Sequence, residues 1–135
     1  MPARRRATPA ACQDPTPALP PVTLSEYEGV RFLHLGSIWV QGAMRMRKPD
    51  AIELDYVQRM LASLLWLPAA SLGQGRAVQL GLGAGAITRF TLGQLGMATT
   101  AVELNPLVID ANRLWFHLPD DGPRLQVLRM DALHW

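Results

Sequence analysis

Cysteine is nearly absent. Cys12 is the only one in 135 residues, so no disulfide can close within the chain and no cysteine-based metal centre can be built from it. That economy fits a reducing compartment, and a cytoplasmic location is expected. Long apolar runs are missing too. Leu64-Leu65-Trp66-Leu67 stops at Pro68, and Ala77 to Leu82 is interrupted by Gln79. Both fall far short of the roughly 20 residues a membrane helix needs, so no membrane partner is expected. The histidines are few, and His34, His117 and His134 have no companions at metal-ligand spacing, so no metal site is expected. Finally, there is little net charge to place. Arg4, Arg5 and Arg6 against Asp14 account for the whole excess of +2, and the remainder is balanced. A basic face able to neutralise several phosphates is lacking, which argues against nucleic acid as a partner.

What is present divides the chain into three parts. Residues 1–22 carry the arginine triplet and a run of prolines in place of the apolar core of a secretory signal, and read as a disordered tail. Residues 23–70 read as a β-hairpin plus a helix. Val30 to Leu35 and Ile38 to Val40 are the expected strands, with Gly36-Ser37 as the turn. Pro49-Asp50 is the expected helix start, and Val57, Met60, Leu61, Leu64 and Leu65 recur at helical spacing as a core-facing stripe before Pro68 ends it. Residues 71–135 alternate strand and helix: strand Ala77–Leu82, helix from about Ala84 to Leu95, strand Thr99–Leu104, helix Pro106–Trp115 and strand Leu125–Met130. The fold class is therefore α/β, a partial Rossmann-like parallel sheet (βαβαβ) with right-handed crossovers, preceded by the small hairpin and helix.

The chemistry concentrates in the second half. Gly81, Gly83 and Gly85 alternate between an expected strand and an expected helix. This is where a tight turn and the absence of Cβ atoms let backbone amides approach a nucleotide. Glu103 ends the next strand, eighteen residues beyond Gly85, where a carboxylate can accept both hydroxyls of a ribose. Asp131 ends the third strand and admits two roles. It can reach an adenine amino group from the carboxyl ends of the strands, or cap the helix that follows.

The runs VQLGLGAGAITRF, AVELNPLVID and LQVLRMDALHW resemble the polyamine aminopropyltransferases, the spermidine synthases, within the S-adenosylmethionine-dependent methyltransferase-like superfamily. Upstream, WVQGAMRMRKPDAIELDYVQRML is similar to that family's hairpin and tyrosine-bearing helix. The resemblance implies decarboxylated S-adenosylmethionine, or S-adenosylmethionine, as donor and a polyamine as acceptor, with Glu103 on the ribose and Asp131 on the adenine. It also marks departures. Ala84 stands where the family carries an aspartate, and Arg45 is the nearest counterpart of a family glutamine. The family's catalytic aspartate lies on the strand after the one ending at Asp131. The chain thus reads as a member lacking its C-terminal part, inactive by itself, with no catalytic residue to name and the strand Ala77–Leu82 left as a sheet edge. That edge makes a homo-oligomer one expected partner arrangement.

Three other readings stay open: a methyltransferase using the same pocket, a non-catalytic binding remnant, and half of an NAD-dependent oxidoreductase. For the last, Gly81, Gly83 and Ala86 fit G-x-G-x-x-A and Glu103 would serve equally on a ribose.

Overall fold

The computed structural model describes residues 18–135. Most of the expected N-terminal tail therefore lies outside the described residues. Two three-stranded sheets form the body of the protein. The first is antiparallel and contains β1 (Val22–Tyr27), β2 (Val30–Leu35) and β3 (Val40–Arg45). A hairpin was expected; a meander is found. The turn between β1 and β2 is Glu28-Gly29, with φ of 49° and 76°. Paired positive φ values of this kind match the right-handed twist of the flanking strands. Glu is an unusual occupant, which hid the turn in the sequence. Ile38 and Trp39 lie in the loop rather than in a strand, and both are exposed.

The expected helix start at Pro49 is displaced to Asp55. Helix α1 covers only Asp55–Leu61 and continues as a 3₁₀ turn over Ala62–Trp66. Tertiary bonds hold the intervening segment out of the helix. Arg45 clasps Glu53 with two bonds, Nε to Oε2 at 3.0 Å and Nη2 to Oε1 at 2.5 Å, and Pro49 O accepts from Arg89 Nε at 3.1 Å. The tighter 3₁₀ winding also rotates the apolar stripe. Val57 is buried, whereas Leu65 and Trp66 stand nearly fully exposed.

The second sheet holds β4 (Arg76–Leu80), β5 (Ala98–Glu103) and β6 (Leu125–Arg129), all parallel and in that spatial order. Helix α2 (Ala86–Arg89) follows β4 and runs on as a π-helix over Phe90–Gln94 until Gly96. Helix α3 (Pro106–Trp115) connects β5 to β6 and has the expected limits. Its start is explained locally. Asn105 Oδ1 accepts from Leu107 N at 3.0 Å, and proline occupies the first turn, where its missing N–H is harmless.

The core lies between the two sheets. Leu33 of β2, Met44 of β3, Leu82, Ala101 of β5, Val108 of α3 and Phe116 form one cluster. Burial of each larger member contributes about 1.5–3 kcal/mol. The parallel sheet is covered unequally. Gln79 lies on the face met by α2, where its Oε1 accepts from Thr88 Oγ1 at 2.6 Å, while Val78 and Leu80 on the other face are 47% and 62% exposed. Among the described residues β4 pairs only with β5 and so forms an edge of its sheet. No helix among them is long and apolar enough to cross a membrane.

Candidate functional site

Leu80 to Gly85 turns the chain from β4 into α2, and all three glycines have positive φ: 80° at Gly81, 55° at Gly83 and 68° at Gly85. Side chains bind the carbonyls of this turn one after another. Gln79 Nε2 donates to Gly81 O at 2.8 Å and to Leu82 O at 3.2 Å. Asn112 Nδ2, from α3, donates to Gly83 O at 2.7 Å. Arg89 Nη1 donates to Ala84 O at 2.7 Å and also to Phe116 O at 2.7 Å. Gln79, Asn112 and Arg89 were not singled out in the sequence. A polar residue interrupting an apolar strand, as Gln79 does, was the available signal.

Glu103 closes the turn from the other side. Its Oε2 accepts from Leu82 N at 2.8 Å and its Oε1 from Asn105 N at 2.8 Å. The carboxylate thus bridges the glycine turn to the start of α3. A carboxylate oxygen has a second lone pair, so each keeps one acceptor site for a ligand hydroxyl.

A cavity of about 290 Å³ opens over this turn. Gly81, Leu82, Gly83, Ala84 and Glu103 form one wall, and Gln41, Gly42, Tyr56, Val57 and Met60 form the opposite one. Met60, expected as core, is a half-exposed member of this wall. The two walls touch where β3 passes the turn. A Cβ placed on Gly42 would lie 2.5 Å from Ala84 N and Cβ, so only glycine permits that approach. Tyr56 is steered by its hydroxyl, which donates to Gln41 O at 3.2 Å.

Of the five residues read from the sequence, Gly81, Gly83 and Glu103 meet in this cavity. Gly85 is packed inward: a Cβ there would sit 2.6 Å from Asn112 Oδ1. Asp131 lies outside the lining and caps the terminal 3₁₀ turn, its Oδ1 accepting from Leu133 N at 2.9 Å. Arg45 is taken up by Glu53, and the glutamines that line the cavity are Gln41 and Gln79. His34 is occupied by Ser25 Oγ at 2.8 Å and Trp39 O at 3.2 Å. No cluster of three metal-ligating side chains occurs among the described residues.

A second cavity, of about 240 Å³, is lined by Arg76, Asp121 and Arg124 at the opposite end of the sheet. Ligands of open α/β sheets lie outside the carboxyl ends of the strands, which singles out the cavity over the glycine turn.

No protein-family model matches the chain. Curated sequences do. A polyamine aminopropyltransferase of Chromobacterium violaceum is 36% identical over 132 residues, which is 97% of this chain and 47% of that protein. A polyamine aminopropyltransferase of Neisseria meningitidis is 35% identical over 117 residues, 86% of this chain and 43% of that protein. The chain therefore spans about half the length of the relatives it matches. Among solved structures, a probable spermidine synthase from Corynebacterium glutamicum superposes with a TM-score of 0.66 at 21% identity, covering 88% of this chain and 46% of that one. Human methyltransferase-like protein 13, solved in complex with SAH, superposes with a TM-score of 0.54 at 24% identity over 61% of this chain and 38% of that one. The chain is spermidine-synthase-like: nearly its whole length is related in sequence to about half of a polyamine aminopropyltransferase, and it is built on the fold of the methyltransferase-like proteins.

Proposed function

We propose that the chain carries the nucleoside-binding half of an aminopropyltransferase-type site and takes an S-adenosyl-type nucleoside over the glycine turn. The observation that carries this reading is Glu103, fixed at the end of β5 by the amides of Leu82 and Asn105 and facing the cavity with acceptor capacity to spare. A carboxylate so placed offers two acceptors to the vicinal hydroxyls of a ribose. Gly81 and Gly83 bring backbone within reach of the sugar. Asp131 is the candidate for the adenine amino group; its Oδ1 already serves as a cap, which leaves Oδ2 for that contact.

The sequence relatives are polyamine aminopropyltransferases, which weighs against the oxidoreductase reading. In the complete reaction an amine nitrogen of a polyamine attacks the aminopropyl carbon next to sulfur. The C–S bond breaks, methylthioadenosine departs and a base removes the ammonium proton. Such chemistry depends mainly on positioning and on an unprotonated nucleophile. We assign no base, and place the reaction in a cytoplasmic setting. A methyltransferase would use the same half-site.

The test is calorimetric titration with methylthioadenosine and, separately, nicotinamide dinucleotide. The first should bind and the second should not. Glu103→Gln, which keeps the shape and one acceptor, should weaken methylthioadenosine about tenfold, as expected for a lost charged hydrogen bond. Well-folded protein that binds neither compound would remove the site assignment.

A further inference from the structure

We propose that the cavity at the amino ends of the parallel strands is a second binding site, for a tetrahedral oxyanion dianion such as phosphate, held between Arg76 and Arg124. It stands apart from the nucleoside reading and does not depend on it. In the parallel register Arg76 lies beside Ala98 and Thr99 beside Leu125, and Thr99 N donates to Arg124 O at 2.8 Å. Arg76, Ala98 and Arg124 therefore stand in one row at the start of the three strands. Neighbouring strands lie about 4.8 Å apart, so the two arginine Cα atoms are about 10 Å apart, with the methyl group of Ala98 between them. Both arginines line the cavity of about 240 Å³. Thr100 and Gln126 pair with each other one step further along the same face, and they line it as well.

The charge facing this space is positive and unspent. Arg76 forms no ion pair among the described residues, and the bond from Arg124 Nη1 to Gly96 O is long, at 3.4 Å. Asp121 is the one acid among the described residues of the lining, and it is already matched. Its Oδ1 accepts from Arg113 Nη2 at 2.6 Å and from Val127 N at 3.0 Å. Two guanidiniums thus share one cavity without a carboxylate of their own, and their repulsion is relieved when an anion enters. Each planar fork takes two oxygens side by side. A tetrahedral dianion can answer both forks, whereas the two oxygens of a carboxylate satisfy only one. The Thr100 hydroxyl and the Gln126 amide are donors within the same lining for the remaining lone pairs. Two arginines serve one phosphoryl group and make no continuous basic face, so a nucleic-acid backbone finds no further contacts here.

Amide NMR titration of the full chain with inorganic phosphate and, in parallel, with glycerol phosphate tests this at constant ionic strength. The amides of Arg76, Thr100 and Gln126 should shift and saturate, while those of Gly81 and Gly83 at the other end of the sheet stay in place. Saturation by either compound supports the site, and the tighter of the two tells a free anion from an ester. Shifts that chloride reproduces at the same ionic strength, or no saturable shift at all, would overturn the proposal. So would saturation centred on Gly81 and Gly83, which would put the anion at the glycine turn. Arg76→Gln and Arg124→Gln should each weaken binding at least tenfold, as expected for lost charged hydrogen bonds. Arg76→Lys, which keeps the charge without the fork, should fall between. Both arginines are exposed, so the spectrum away from the cavity should be that of the unaltered chain. An unchanged affinity in either folded glutamine variant would refute the assignment.

Discussion

Replacing Arg89 by methionine sets two sizeable energies against each other. The guanidinium bonds three carbonyls, Ala84 O and Phe116 O at 2.7 Å and Pro49 O at 3.1 Å. Together they tie the glycine turn, the end of α3 and the segment before α1. Hydrogen bonds from a charged donor contribute about 1.5–3 kcal/mol each, so the three together are worth about 4.5–9 kcal/mol. Against this stands desolvation. Burial lowers the pKa of Arg89 to about 10, with the Asp50 carboxylate pulling the other way, a depression that corresponds to about 3 kcal/mol. The difference leaves Arg89→Met less stable by about 1.5–6 kcal/mol, a large share of what a small domain possesses. Arg89→Lys, which can reach fewer of the carbonyls, should fall in between. Urea unfolding followed by circular dichroism measures both through the midpoint and the slope. The pH dependence has a definite sign. Arg89 is charged in both states below about pH 9, so the gap between wild type and Arg89→Met stays flat there. Above pH 10 the unfolded chain binds more protons than the folded one, and the wild type gains on the variant as pH rises. A loss below 1 kcal/mol with an unchanged slope would show that the three carbonyls are satisfied equally well by water.

Other perturbations separate the parts of the site. Gly85→Ala meets both a φ of 68° and Asn112 Oδ1 at 2.6 Å, whereas Gly81→Ala meets a φ of 80° and open space. Thermal unfolding should show the first costing over 2 kcal/mol and the second about 1 kcal/mol. The open side of β4, with Val78 and Leu80 exposed, should drive self-association detectable by light scattering as concentration rises; Val78→Lys should reduce it, and a concentration-independent monomer would contradict the expectation. With Glu103 the only charged side chain among the described residues lining the cavity, and bonded at both oxygens, the purified chain should form no spermidine from decarboxylated S-adenosylmethionine and putrescine. Product in that assay would mean that a base reaches the cavity from elsewhere.

The second half of the molecule was legible because its signals are local. The parallel βαβαβ order follows from alternating apolar runs, and α3 follows from Asn105-Pro106 at its head. Gly81, Gly83 and Glu103 announce through their spacing the turn at which they meet. The rest depends on distant partners. Strand β1 alternates polar and apolar residues after two prolines and becomes a strand only by pairing with β2. The start of α1 is set by Arg45, which pulls Glu53 away. No local pattern shows that Gln41, Tyr56 and Met60 cross over to form the second wall, since the approach of β3 to the turn is a property of the packed core. Asp131 was legible as either of two things; its Oδ1 is bonded to Leu133 N as a cap.

The contact between Gly42 and Ala84 makes the cavity a joint between two independently hydrogen-bonded sheets. Whatever fills it must touch both, so occupancy and the docking of the sheets are linked equilibria. A ligand that binds only the docked form would raise the melting temperature of the antiparallel sheet along with that of the parallel one. Conversely, a substitution that loosens the meander, far from Glu103, weakens ligand binding by the fraction of time the joint stands open. If the glycine turn takes the proposed nucleoside, the meander is a remote control on its affinity.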